Sequence, residues 1–416
     1  MRRLKTLSAL SAALVLPVAA TPAAAGSAMS AAVDGDLDVA WLEESLAALG
    51  AAGPQAVVVE VRDGEQVWSA ATGDRDPFAP APHDDPAEPT DLVRVGSVTK
   101  SMIVTVVLQL VAEGRLSLDD AVADHLPGVL PYDEPITVRQ LLGHTSGVPN
   151  HFPLLYPSLA QGSAEDLVRN QHAYFRPPAL VEFATRGPLD FAPGAHYWYS
   201  NTGYAVIGLL VEELTGQPIE DELERRVFEP AGLTDTTFPR HGTRWPGEHP
   251  DGFFATGDPA EPYVETTQMS ASQFWAAGAV VSTTADTNRF FRAMFDGTLL
   301  PEGLLAEART LTPQSEGTYG LGIQAVAAPC EPIGDGGLAF GHTGGTFGHS
   351  TYAFSSPDGE RQVSVVLSID DQLAPSEERA LALNELLVAG LCGSTTAPAA
   401  RSAGVDVLGE LEIVRG

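Results

Sequence analysis

Only two lysines occur among the 416 residues, Lys5 and Lys100, and apart from histidine every other basic side chain is arginine. A guanidinium keeps its proton at any ordinary pH, whereas an amine can give one up. Lys100 is therefore a candidate for proton chemistry, and it stands three residues after Ser97 in Ser97-Val98-Thr99-Lys100. Residues three apart on a helix share a face, so the hydroxyl and the amine can touch. A buried helix desolvates the amine, lowers its proton affinity and fits it to take a proton from serine. The helix N-terminus favours negative charge developing there by roughly 0.3–1 kcal/mol. Read alone, Ser97 also fits a helix cap, and Lys100 fits a chance lysine on a solvated face.

Two further triplets carry usable chemistry. Tyr199-Ser200-Asn201 follows a Pro193-Gly194 turn and opens a helical pattern over Asn201–Leu214. A phenol near a cation can act as base or acid, and an amide can hold a substrate carbonyl. Taken singly, Tyr199 fits a half-buried core tyrosine and Asn201 an N-cap. His342-Thr343-Gly344-Gly345 closes a strand pattern. Glycine within a strand marks the close approach of another backbone, and a substrate laid along that edge would meet main chain directly. His342 alone fits a satisfied core histidine. The N–H groups of Gly345 and Ser97 are candidates for an oxyanion hole. His144-Thr145-Ser146-Gly147 reads as a structural helix end.

Together and in this order, the three triplets resemble the penicillin-binding protein and serine β-lactamase superfamily, which pairs S-x-x-K with Ser/Tyr-x-Asn and a Lys/His-Thr-Gly strand. The Tyr-x-Asn and His-Thr-Gly forms, with segments such as LVRVGSVTKSM, YSNTGYAVIG, YGLGI and GHTGGTFGHSTYAF, are similar to the secreted D-alanyl-D-alanine carboxypeptidases. The resemblance covers roughly Ala56 to Gly393. It implies an antiparallel sheet flanked by helices, an inserted all-helical domain, and a site in the cleft between them. It also implies Ser97 as nucleophile, Lys100 as its activating partner and Tyr199 as proton shuttle to the leaving group. Asn201 would orient the acyl side chain, and His342 and Thr343 would support Tyr199 and the substrate, with Gly344 and Gly345 along the strand. No cofactor and no metal are implied. Substrates would be peptidoglycan-type D-Ala-D-Ala peptides or other small acyl donors, with β-lactams as inhibitors or substrates. Where the carboxypeptidases hold the substrate carboxylate with an arginine and a threonine, this chain has Gln324 and Gly345. That puts strict carboxypeptidase specificity in doubt and leaves an esterase or D-amino-acid amidase as the alternative, with a non-catalytic cell-wall-binding relative as a further one.

The elements that must position these residues are legible in outline. Arg2, Arg3 and Lys5 precede an apolar stretch ending in Ala23-Ala24-Ala25, the pattern of a signal peptide over 1–25 and hence of a secreted protein. Asp38 caps a helix running to Leu49. Ala56–Arg62 and Glu65–Ala70 form a hairpin about Asp63-Gly64. Leu92–Val95 is a short strand, and Ser97 opens a helix apolar over most of its circumference. Short helices at Thr137–Leu142, Pro178–Thr185, Asn201–Leu214 and Ile219–Phe228 follow. Strand character returns near Ala277, then come a helix over Ala285–Met294, strands over Thr318–Val326, Leu338–His342, Ser350–Phe354 and Gln362–Ile369, and a closing helix over Pro375–Leu391. The expected organisation is thus a sheet domain from 26–116 and 277–394, an insertion over 117–276 and a flexible tail over 395–416. The net charge of −31 repels nucleic acid. No later segment has the length and apolarity of a membrane span. The ten histidines show no H-E-x-x-H zinc pattern, and there is no G-x-S-x-G elbow. Cys330 and Cys392 are expected to pair in an exported chain.

Overall fold

The computed structural model describes residues 37–393 apart from 81–83, 241, 243–244, 246, 329, 331–332 and 334–336. The leader expected at 1–25 and the tail expected at 395–416 lie outside the described residues. The strands, in chain order, are β1 (Val57–Asp63), β2 (Gln66–Thr72), β3 (Val93–Arg94), β4 (Phe253–Ala255), β5 (Tyr263–Glu265), β6 (Val281–Ser282), β7 (Gln324–Ala327), β8 (Leu338–Gly345), β9 (Ser350–Ser355), β10 (Arg361–Leu367) and β11 (Ile369–Asp370). The main sheet runs β2-β1-β10-β9-β8-β7 with every neighbouring pair antiparallel, so strands from both ends of the chain interleave. This is the fold class expected from the sequence.

Strand alternation divides the core between the two faces of the sheet. Val57, Val59 and Val61 of β1 and Val363, Val365 and Leu367 of β10 face one core with the first helix, Val39–Ala51, and the closing helix, Glu377–Cys392. Asp38 and Ser376 cap those helices through the backbone N–H groups of Trp41 and Arg379. Cys330 and Cys392 are bonded, Cα atoms 5.5 Å apart, tying the end of the closing helix to the chain after β7. The opposite face packs on Val98–Ala112, which is buried nearly all round, and through it on Asn201–Thr215 and the neighbouring helices.

Four elements differ from expectation. The Thr318–Val326 strand begins only at Gln324, because Tyr319–Gly322 makes a turn with Gly322 in the left-handed region (φ +62). That turn is pinned where the Ser101 hydroxyl donates to the Gly322 carbonyl, 2.6 Å away. β8 runs on past His342 to Gly345. The Gln362–Ile369 strand splits, with β10 ending at Leu367 and β11 crossing to pair with β4 in a three-stranded sheet, β11-β4-β5. Ala277–Ser282 contributes only β6, paired with β3. Among the described residues no helix is long and apolar enough to cross a membrane.

Candidate active site

Ser97 sits at the N-cap of Val98–Ala112, yet its side chain makes no capping bond. The cap reading of Ser97 therefore fails and its hydroxyl is left for other work. It is partly exposed, while Lys100, one turn further on, is 0 % exposed. Lys100 Nζ lies 2.9 Å from Ser97 Oγ, 2.8 Å from Asn201 Oδ1 and 2.7 Å from the Ala277 carbonyl oxygen. Burial drives the Lys100 pKa well below the usual 10.5. A neutral amine has two N–H donors and one lone pair. The amide and carbonyl oxygens can only accept, so they take the two donors, and the lone pair points to the serine hydroxyl.

Asn201 opens the helix Asn201–Thr215, which fixes its side chain against Lys100, and its Nδ2 donates to Asn150 Oδ1, 3.3 Å away. Two residues earlier, the Tyr199 ring lies 4.9 Å from Lys100 Nζ. The Tyr199 hydroxyl is buried without a well-formed hydrogen bond. Burial raises its pKa well above 10, opposed by its interaction with Ser97. The same desolvation therefore favours the amine form of Lys100 and the phenol form of Tyr199.

The Tyr199 ring stacks on His144, centroids 4.0 Å apart. The Ser200 N–H donates to His144 Nδ1, 3.2 Å away, so His144 Nε2 carries the proton and donates to the Tyr319 oxygen at 3.1 Å. Tyr319 is then left to donate to His342 Nε2 at 2.9 Å, and His342 Nδ1–H to the Thr343 carbonyl at 2.5 Å. One directed chain thus fixes both histidines as neutral tautomers, in line with burial lowering the His342 pKa to about 3. His342 reaches Tyr199 through packing, ring centroids 6.4 Å apart, rather than by a hydrogen bond. Sequence reading passed over Tyr319 and set His144 aside as a helix end. It does end Val138–Leu142, but in the left-handed region (φ +57), and its ring forms the floor under Tyr199.

The end of β8 runs past its last pairing with β7, Gln324 opposite Gly341. Gly344 faces inward: a Cβ there would collide with the Val95 carbonyl and stand 3.0 Å from Ser97 N. On the other side of the junction Gly96 has φ +53, and a Cβ on it would meet Gly345 N at 2.7 Å. The backbone N–H groups of Ser97 and Gly345 are thus brought together by three glycines. Gln324 accepts from the Thr343 N–H at 2.7 Å and from its hydroxyl at 3.0 Å. Its oxygen is committed to the strand, and it supplies no positive charge. Thr343 therefore turns its hydroxyl to Gln324. Among the described residues no cluster of His, Cys, Asp or Glu is arranged to hold a metal.

The beta-lactamase family model matches residues 41–388. The chain belongs to the beta-lactamase family. Penicillin-binding protein 4 of Amycolatopsis lactamdurans is 34 % identical over 214 residues, 50 % of this chain and 52 % of that protein. The chain spans between about half and three fifths of the length of the first curated relatives it matches. Among solved structures, a D-stereospecific amidohydrolase from Streptomyces sp. superposes with a TM-score of 0.74 at 30 % identity, covering 86 % of this chain and 99 % of that one. A D-amino acid amidase from Ochrobactrum anthropi SV3, complexed with L-phenylalanine amide, gives 0.71 at 25 % identity over 88 % and 99 %.

Proposed function

We propose that the protein hydrolyses D-configured amides and esters, D-Ala-D-Ala-type peptides and β-lactams included, through an acyl-enzyme on Ser97. The observation that carries this is Lys100: a fully buried amine 2.9 Å from the Ser97 hydroxyl, with both its N–H groups occupied by oxygen acceptors. Its lone pair takes the Ser97 proton as Oγ attacks the carbonyl carbon. The developing oxyanion is received by the Ser97 and Gly345 N–H groups, the kind of donor pair whose single members are worth about 2.7–4 kcal/mol. Tyr199, held as a phenol, gives its proton to the departing nitrogen or oxygen, and the proton on Lys100 restores it. Water then attacks the ester with the same pair in reverse roles. Asn201 holds Lys100 and faces the acyl group.

The amide and ester branch is favoured over strict carboxypeptidase action by Gln324, which offers no charge to a free carboxylate. The D-stereospecific amidohydrolase and D-amino acid amidase neighbours agree with that branch. A fluorophosphonate or a β-lactam is expected to add one equivalent to Ser97, read by intact mass and peptide mapping, and a chromogenic D-amino ester to show a burst. Labelling that persists in Ser97→Ala would sink the assignment.

A further inference from the structure

Beyond the triplets, one carboxylate stands at the open end of β8. Gly344 and Gly345 face opposite ways by strand alternation. The first is buried against Ser97, and the second is exposed, with Asp370 Oδ2 as its nearest neighbour, 3.8 Å from where a Cβ would be. Asp370 arrives there because β11 breaks from the line of β10. The Ser350 hydroxyl holds the Ile369 carbonyl at 3.1 Å, and the Gln372 N–H donates to Asp370 Oδ1 at 3.1 Å. The Phe347 N–H in the β8–β9 turn donates to it as well. No ion pair among the described residues includes Asp370, and the guanidinium beyond it, Arg379, is 2.6 Å from Asp371 instead. A substrate oxygen held by the Gly345 N–H sits about 2.9 Å from that nitrogen, and Gly345 itself places no side chain before Asp370. Substituents two or three bonds from the carbonyl therefore extend toward the half-buried carboxylate.

We propose that Asp370 sets the charge preference of the site: it disfavours acyl donors whose leaving group carries a free carboxylate relative to neutral or ammonium-bearing amides and esters. The inference rests on the Ser97 reading and deepens it, since Gln324 only withholds a cation whereas Asp370 supplies an opposing charge. Burial and Asp371 raise its pKa to about 6, so at pH 7.5 it is ionised. At 4–6 Å and an effective dielectric constant near 20, one unit charge corresponds to at most roughly a hundred- to a thousand-fold in rate, which solvent reaching the half-buried Asp370 reduces.

The test uses the full chain at pH 7.5 with N-acetyl-D-Ala-D-Ala, its C-terminal amide, and D-phenylalanine amide with and without an N-acetyl group. Wild type is expected to favour the dipeptide amide over the acid by about tenfold or more. Asp370→Asn keeps the shape and one acceptor, and it should shrink that ratio of kcat/KM about tenfold while lowering the preference for the free amine; Asp370→Glu should restore both. The shifts should persist in 0.5 M salt, which screens the field of the whole acidic chain. Ratios that do not move in Asp370→Asn, or that move only at low salt, overturn the proposal. Where turnover is too slow, the acylation rates of Ser97 by a carboxylate-bearing penicillin and a neutral fluorophosphonate are compared in the same variants, with the same expected change. If neither probe labels Ser97 in wild type, the Ser97 reading itself falls and this one with it; labelling with an unmoved ratio removes Asp370 alone.

Discussion

Lys100 is surrounded by neutral oxygens and two tyrosine rings, Tyr199 and Tyr204, and no carboxylate pairs with it among the described residues. Nothing there stabilises a permanent cation. Arginine in its place cannot give up its proton, so Lys100→Arg should cost nearly as much as Lys100→Ala, on the order of 10³–10⁶ in kcat/KM for members of such a unit. The free enzyme needs the unprotonated amine. Activity should therefore be lost as pH falls through the depressed Lys100 pKa and be retained above it. Steady-state kinetics on both variants, with a pH profile of the parent, check this. A Lys100→Arg enzyme keeping a tenth of the activity would reduce the lysine to an electrostatic aid. Ser97, Lys100 and Asn201 were legible in the sequence because their contacts follow from local helical spacing plus one crossing. The His144–Tyr319–His342 chain was not: His144 and Tyr319 lie 175 residues apart, and each reads locally as a turn or core residue. The signal available was an aromatic between turn glycines, Thr318-Tyr319-Gly320-Leu321-Gly322.

At the scale of elements, the site depends on how closely the end of β8 approaches the start of the Ser97 helix. Gly344→Ala puts a methyl into the Val95 carbonyl, and a packed junction gives way by shifting backbone, typically at about 1–3 kcal/mol. Gly345→Ala meets nothing nearer than 3.8 Å. Thermal unfolding should therefore show a clear loss for Gly344→Ala and a near-parental value for Gly345→Ala. Equal losses would mean that the strand end is free to move away from Ser97. The capped helices, the β1–β2 hairpin and the strands β9 and β10 were legible from periodicity and turn residues, because each is specified by its own stretch. The β4–β5 pair and β11 were not, since three- and two-residue strands are defined by partners far along the chain. The missed turn at Tyr319–Gly322 has the same origin: its apolar run reads as strand until Ser101, 221 residues away, fixes the Gly322 carbonyl.

Across the whole molecule, the net charge of −31 and a set of buried neutral histidines act in opposite directions as pH falls. Acid removes carboxylate repulsion, but exposed charges are screened within about 8 Å at physiological salt, so that gain is small. The histidines are not screened. Burial holds His342 and His349 at about 3 and His151 at about 4, and keeps His144 well below 6.5. Each has a folded pKa below its unfolded value near 6.5. Each therefore contributes stability in full above pH 6.5 that is lost as pH drops toward the folded value, by up to about 1.4 kcal/mol per pH unit and group. Asp370 has the opposite sign: raised to about 6, it favours the folded state as pH falls from 6 toward its unfolded value and offsets about one histidine; Asp190, Glu212 and Asp251, raised by burial, act the same way, while Glu113, Asp119 and Glu222, lowered by their arginine partners, act with the histidines. The sum is negative, so the protein should lose stability steeply between pH 6.5 and 4.5, taking up protons as it unfolds. His349 isolates the effect from catalysis, since it packs on Gly252 and Trp245 and contacts the Pro250 carbonyl at 3.2 Å, away from Ser97. His349→Gln removes one titrating group while keeping a donor for that carbonyl. Urea unfolding at a series of pH values should show the slope of stability against pH falling by about one proton in this variant. A parental curve that is flat between pH 6.5 and 4.5 would show that these histidines are not held neutral by the fold.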